Sequence, residues 1–141
     1  MSLFKVFNVA GSALNAQTIR LNTTASNLAN AESVSGDASK VYRARHPVFQ
    51  AMMDSADGTF DGQDSAAGVR VLGVVESKAP ALMRYQPDNP LANKDGYVFS
   101  SNVNSIEEMT NMISANRSFA TNIEAINTAR DLLLKTISMG H

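Results

Sequence analysis

Residues 105–139 read SIEEMTNMISANRSFATNIEAINTARDLLLKTISM, and this stretch decides the fold. It holds no proline and no glycine, so nothing in it breaks a helix. Ile106, Met109, Ile113, Ala120, Ile123, Leu134 and Ile137 recur at helical spacing, and Met112, Phe119, Ile126 and Leu133 form a second row beside them at steps of seven. Together the rows make one broad apolar face on a helix of roughly 35 residues, about 50 Å long. That is about three times an average globular helix, and a periodic run of this length points to a coiled coil or a helical packing element. Ser105, with Glu108 three residues on, predicts a capping box at its start.

Working outward, a second periodic segment lies at the other end of the chain, over residues 2–31. Phe7, Leu14, Leu21 and Leu28 are spaced by seven, with Ala10, Gln17, Thr24 and Ala31 three further on and Gly11, Thr18 and Ala25 one beyond those. The spacing predicts a helix from about residue 3 to 30, with one large apolar ridge and a flank of small or short polar residues that lets another helix come close. Its Asn, Thr, Ser and Gly residues are mediocre helix formers. Lys5 and Arg20 are its only charges, and it has no acid, so it reads as a helix surrounded by protein. The face of the long helix is wider than a two-stranded seam needs, and Asn116, Asn122 and Asn127 lie on or beside it. The two terminal helices are expected to pair as a coiled coil and to become ordered in a larger assembly.

Between them the chain is turn-rich and β-rich. Residues 32–40, ESVSGDASK, read as a turn centred on Gly36-Asp37. Residues 41–53 alternate partly as a strand, with Pro47 marking an edge or a bulge. Residues 54–68 carry Asp54, Asp57, Asp61 and Asp64 and no base, and read as an exposed loop. Residues 69–78, VRVLGVVESK, are the best strand, and Gly73 permits a bulge. Weaker extended pieces follow at 81–87 and 97–99. The expected class is therefore mainly α with a small β-rich insertion: a helix in 1–31, a β-rich and loop region in 32–104 standing off to one side, and the long helix in 105–141.

Composition narrows the function. Twelve basic and thirteen acidic residues give a net charge of −1, so neither nucleic acid nor a charged membrane surface is an expected partner. No apolar stretch approaches ~18 residues, so no membrane span is expected. With no cysteine, disulfides, thiolate metal sites and cysteine nucleophiles are excluded together. Lys5 and the following VFNVAGSAL faintly resemble a signal segment, but Asn8, Gly11 and Ser12 break the apolar run and the helical period continues past Ala16. His46 precedes a proline and His141 is the last residue; neither has a partner at metal-ligand spacing. The acidic loop lacks the residue order of a calcium loop. Glu107 and Glu108 point about 100° apart on a helix and cannot share a site. No phosphate-binding loop, dinucleotide fingerprint or nucleophile elbow is present. The chain reads as a non-enzyme without cofactor, metal or small-molecule substrate.

The run AGSALNAQTIRLNTTASNLANAESV (10–34), with ASNLAN at Ala25, Ser26, Asn27, Leu28, Ala29 and Asn30, resembles the N-terminal signature of bacterial flagellar rod, hook and hook–filament junction proteins. YRARHPVFQ, PDNPLANKDGYV (Pro87 to Val98) and the NV-x-x-x-E-E-M…A-I-N-T-A-R stretch (Asn102 to Arg130) are similar to the proximal-rod subfamily. The likeness runs over nearly the whole chain. One departure is Asn30-Ala-Glu-Ser-Val and a longer connector, where relatives often have N-x-x-T. The resemblance implies a structural subunit of the basal-body rod in the periplasmic space, exported by the flagellar type III apparatus without a cleaved signal. Its partners are then other rod proteins and further copies of itself. It implies that the terminal helices pair in the inner layer of a helical tube that passes torque from rotor to hook, with the β-rich part outward. The expected assembly interface is then Phe7, Leu14, Leu21 and Leu28 on the first helix. On the second it is Ile106, Met109, Met112, Ile113, Phe119, Ile123, Ile126, Leu133, Leu134 and Ile137. The rival reading is a coiled-coil binding module such as a type III export chaperone or adaptor.

Overall fold

The structure, a computed structural model, describes residues 3–53 and 66–139. Most of the acidic loop and His141 therefore lie outside the described residues. The elements in chain order are α1 (Leu3–Ala29), β1 (Val34–Ser35), β2 (Arg45–Met53), β3 (Ala66–Glu76), β4 (Leu82–Tyr85), β5 (Tyr97–Ser100) and α2 (Ser105–Met139). Both helices form where the periodicity places them.

The helices lie side by side and antiparallel. Val6, near the start of α1, borders an apolar groove with Ala125, Ala129 and Leu132 of α2. Further along, the Arg20 guanidinium donates to Asn111 Oδ1 at 3.1 Å. On α2 the buried and half-buried positions include Glu108, Met112, Ala115, Phe119, Asn122, Ile126, Ala129 and Leu133, a strict alternation of four- and three-residue steps. The row that runs through Met112, Phe119, Ile126 and Leu133 is thus the one that α1 covers. The other row stays open: Ile106 is 78% exposed, Ile113 56% and Ile137 61%. A single helix covers a single seam, so the broad face divides in two. Residues 134–139 are all exposed, because α2 runs on past the point opposite the first turn of α1.

The cap of α2 differs from the expected one. Asn104, not Ser105, sits at the boundary: its Oδ1 accepts from the Ile106 N–H at 3.1 Å and the Glu107 N–H at 3.4 Å, and its carbonyl accepts from the Glu108 N–H at 3.0 Å. Asn and Ser are similarly good caps, and two candidates in succession make the boundary ambiguous by one residue. With Asn104 as cap, Glu107 is the third helical residue; Glu108 lies at the head of the covered row and is buried.

The β-rich centre comprises two small sheets. β2 and β3 form an antiparallel ribbon from Arg45↔Glu76 to Met53↔Ala66, with a register shift between Val48 and Phe49 that leaves Leu72 unmatched beside Gly73. This is the bulge expected there. β2 begins at Arg45, later than the alternation from Val41 suggests, because Val41 and Ala44 are buried ahead of it. Pro47 sits opposite Val74, tolerated because both strands of a two-stranded ribbon are edges. The second sheet has the order β1-β5-β4. β1 lies inside the connector expected to be only a turn; its two residues pair with Ser100 and Phe99. β4 and β5 are joined through a turn in which Asn93 Oδ1 accepts from the N–H groups of Asp95 and Tyr97. Gly96 there has φ +79° and lies against the Tyr85 ring and Pro87, which is why the turn takes glycine.

The ribbon does not stand off from the helices; it lies along α1. At one end Ser12 Oγ accepts from the Val69 N–H at 3.0 Å while donating to the Val9 carbonyl. A side chain at Gly68 would meet that oxygen at 2.6 Å. At the other end, Asn27 holds Arg45. An isolated ribbon is marginal in water, and contact with α1 supplies its missing support.

Candidate assembly interface

The residues that set the geometry of the two helices cluster where α1 ends. Asn27 is 1% exposed. Its Oδ1 accepts from the Arg45 N–H and from the Tyr42 hydroxyl, both at 2.9 Å, and its Nδ2 donates to the Arg45 carbonyl at 2.8 Å. One carboxamide thereby satisfies both backbone groups of the first ribbon residue, as a neighbouring strand would. Ser26 Oγ shares a hydrogen bond with Tyr42 at 3.2 Å. Asn30 Nδ2 donates back to the Ser26 carbonyl at 2.8 Å, which also accepts from the Asn30 N–H at 3.2 Å. Arg45 pairs with Glu76 at 3.0 Å and its guanidinium carbon lies 5.4 Å from the Tyr42 ring centroid.

The start of α2 is tied to the same point. Asn102 Oδ1 accepts from the Ala44 N–H at 2.8 Å, and its Nδ2 donates to the Ala79 carbonyl at 2.9 Å. The Ser101 N–H donates to the Ser33 carbonyl at 3.1 Å. Asn27 and Asn102 therefore buckle the end of α1, the root of the ribbon and the entrance to α2 into one polar joint. In the ASNLAN motif, Ser26, Asn27 and Asn30 make the joint, Leu28 is half-buried, and Ala25 and Ala29 face outward. Sequence reading marked the motif, and marked Tyr42 and Asn102 as the first residues of two further matching stretches, but not their parts in this joint, which depend on chain segments meeting in space.

The interface residues read from the sequence divide into two groups. Phe7, Leu14, Leu21 and Leu28 on α1 are half-buried, as are Met112, Phe119, Ile126 and Leu133 on α2. Ile106, Met109, Ile113, Ile123, Leu134 and Ile137 are exposed. Ala115 and Ala129, both buried, lie on the covered row and were missed because small side chains do not stand out as anchors. Stepping by threes and fours between Met112 and Leu133 would have found them. α1 also bares a stripe of its own: Asn8, Gly11, Asn15, Thr18, Asn22, Ala25 and Ala29 are all exposed, again at alternating three- and four-residue steps. Further apolar surface is bare on the sheets, at Leu72, Val75, Met83 and Tyr85 among others.

Together these bare rows and sheet residues make up an extended exposed surface. Beside the polar joint lies an open cleft of about 670 Å³ that includes Lys40, Arg43 and the Arg45–Glu76 pair. Among the described residues, no three His, Asp or Glu side chains gather where they could hold a metal ion, and no helix is long and apolar enough to cross a membrane.

Comparison with known proteins accounts for such a surface. The N-terminal residues 7–36 match the family described as flagella basal body rod protein. Residues 94–139 match the C-terminal family of flagellar basal body rod FlgEFG proteins. The flagellar basal-body rod protein FlgC of Salmonella typhimurium is 49% identical over 140 residues, covering 99% of each chain. That of Escherichia coli O157:H7 is 47% identical over the same share, and one from Buchnera aphidicola of Schizaphis graminum is 41% identical, again over 99% of both. At 41–49% identity over 99% of both chains, the chain belongs to the flagellar basal-body rod protein family, a family of structural proteins and not of enzymes.

Proposed function

We propose that this chain is a structural subunit of the flagellar basal-body rod whose paired terminal helices form a coiled coil in a helical tube. The observation that carries this reading is α2 itself: 35 residues long, with two rows at coiled-coil spacing and only one of them covered within the chain. The four-three alternation of the covered row is the spacing of knobs packing into holes. The bare row supplies the surface by which subunits meet each other and neighbouring rod proteins. Torque passes through such a layer because sliding one helix past another would unpair polar groups such as Asn122 and strip apolar anchors of their partners. The subunit reaches the periplasmic rod through the flagellar type III export apparatus, without cleavage of a signal.

The test is incorporation. Leu21→Asp and Ile123→Asp place a carboxylate on the α1 ridge and on the open α2 row. Each is expected to be expressed at the normal level, to be missing from purified basal bodies, and to leave cells non-motile. Motile cells with either variant present in the rod would refute the reading.

A further inference from the structure

The two ends of the β2–β3 ribbon gather charge of opposite sign. At the root, residues 40–45 read KVYRAR, and Lys40, Arg43 and Arg45 all border the open cleft of about 670 Å³, with Glu76 as the one acid among its described lining residues. Arg45 is matched by Glu76, whose Oε1 accepts from two guanidinium nitrogens at 3.2 and 3.0 Å. Lys40 and Arg43 are not matched in this way: neither side chain makes a hydrogen bond or an ion pair with a described residue. Asp37, the nearest acid to Lys40 along the chain, accepts instead from the N–H and the hydroxyl of Ser39. Arg43 is half-buried, and a charge partly withdrawn from water is costly until an opposite charge answers it. The cleft therefore presents two unanswered cations to an anionic group.

The other end of the ribbon carries the complement. Residues 54–65, DSADGTFDGQDS, hold Asp54, Asp57, Asp61 and Asp64 and no base, and they join the ribbon at its tip, Met53↔Ala66. The runs 40–45 and 54–65 are the densest of either sign in the sequence. Distance works against their meeting within one chain. β2 is 9 residues long, about 26 Å from end to end at ~3.3 Å per residue. Counted from the tip, fully extended backbone carries Asp57 at most about 14 Å and Asp61 about 18 Å. Even laid straight back along the ribbon, the Asp61 backbone stops about 8 Å short of Arg45, and Arg43 and Lys40 lie further on in the chain. A second copy can bring its tip to this root with no such stretch.

We propose that the cleft at the ribbon root binds the aspartate-bearing segment 54–65 of another copy of this chain, a contact that rests on the subunit reading above. Arg43 takes the leading part, because a planar guanidinium matches a carboxylate with two parallel hydrogen bonds. Lys40 adds a point charge at the exposed rim, where salt screens it. Tip and root are different patches at opposite ends of one ribbon. The contact is heterologous, and contacts of that kind repeat from copy to copy. It lies apart from the helix rows and depends on charge, where theirs depends on apolar burial.

A carbodiimide joins an amine to a carboxylate that touches it and leaves no spacer, so the contact can be read directly. Two versions of the chain are co-expressed. One carries Lys40→Arg and keeps its aspartates; the other keeps Lys40 and carries Asp54→Asn, Asp57→Asn, Asp61→Asn and Asp64→Asn. Any amide between Lys40 and segment 54–65 then joins two copies. Basal bodies are purified and treated, and linked peptides are identified by mass spectrometry. The expected product joins Lys40 to Asp57 or Asp61. In rods built from a single version, Arg43→Glu is expected to cut the Lys40 link roughly tenfold, and Arg43→Lys to keep it. Three results would overturn the contact and leave the subunit reading intact: well-formed rods of both versions without the link, Lys40 joined instead to a carboxylate of a different protein, or a link that Arg43→Glu does not reduce. Absence of the unmutated chain from purified basal bodies would overturn both.

Discussion

Along α2, Met112, Phe119, Ile126 and Leu133 face α1 and are half-buried, while Ile106, Met109, Ile113 and Ile123, about 100° round the same helix, face outward. The two rows share their spacing and their apolar character. They differ in burial and only in part in what lies between the large side chains. The covered row holds Ala115 and Ala129, both buried, which bring the two helix axes together, beside the polar Glu108 and Asn122. The open row holds Asn116, Asn127 and Arg130, groups that stay hydrated until a partner satisfies them, beside Ala120. The comparison predicts that a charge on each row will act at a different stage.

The largest effect is expected from Ile126→Asp on the covered row set against Ile113→Asp on the open one. Both should abolish incorporation into the rod and motility. Only Ile126→Asp should also weaken the free chain, because a carboxylate placed between α1 and α2 must be desolvated or must part the helices. Helix content by circular dichroism and its urea midpoint are the measurements. A matching loss of helix in the free Ile113→Asp chain would mean that the rows are not distinct.

Both rows were legible in the sequence, as were the limits of α1 and α2, because leucine, isoleucine and phenylalanine at steps of seven leave a periodic trace. Their division was not legible: periodicity shows that a face is apolar and not whether the chain itself covers it. The bulge beside Gly73 could be read from a glycine among valines. β1 could not, since two residues, Val34 and Ser35, carry no alternation; they pair because Phe99 and Ser100 arrive beside them. The role of ASNLAN was also hidden. Resemblance marked the motif, but the use of Asn27 depends on Arg45, eighteen residues away, turning its backbone toward α1.

That joint supplies a second way to sharpen the comparison. Asn27→Ala leaves the Arg45 N–H and carbonyl without their partner, and each unsatisfied buried group costs about 1–3 kcal/mol. The ribbon root should loosen from α1 while the covered row of α2 keeps its packing. Hydrogen exchange is expected to speed up in β2 near Arg45 by more than in α2 near Ala115. Equal acceleration in both would show that the ribbon and the helix pair are a single cooperative unit and that the rows cannot be treated apart from it.

The smallest effect comes from one substitution made on both rows. Ala115→Leu inserts three heavy atoms at a site with no exposed surface, and overpacking of this kind costs about 1–3 kcal/mol. Ala120→Leu adds the same atoms on the open row, where α1 does not reach and solvent takes them up. The free chain should therefore lose urea resistance with Ala115→Leu and keep it with Ala120→Leu. Swimming should respond in the other sense for its cause: Ala120→Leu slows it by widening the gap between copies, with the free chain unaltered. If Ala120→Leu left both stability and swimming untouched, position 120 would not be in contact in the rod, and the open row would have to be divided again, between its Ile106–Ile113 end and its Leu134–Ile137 end.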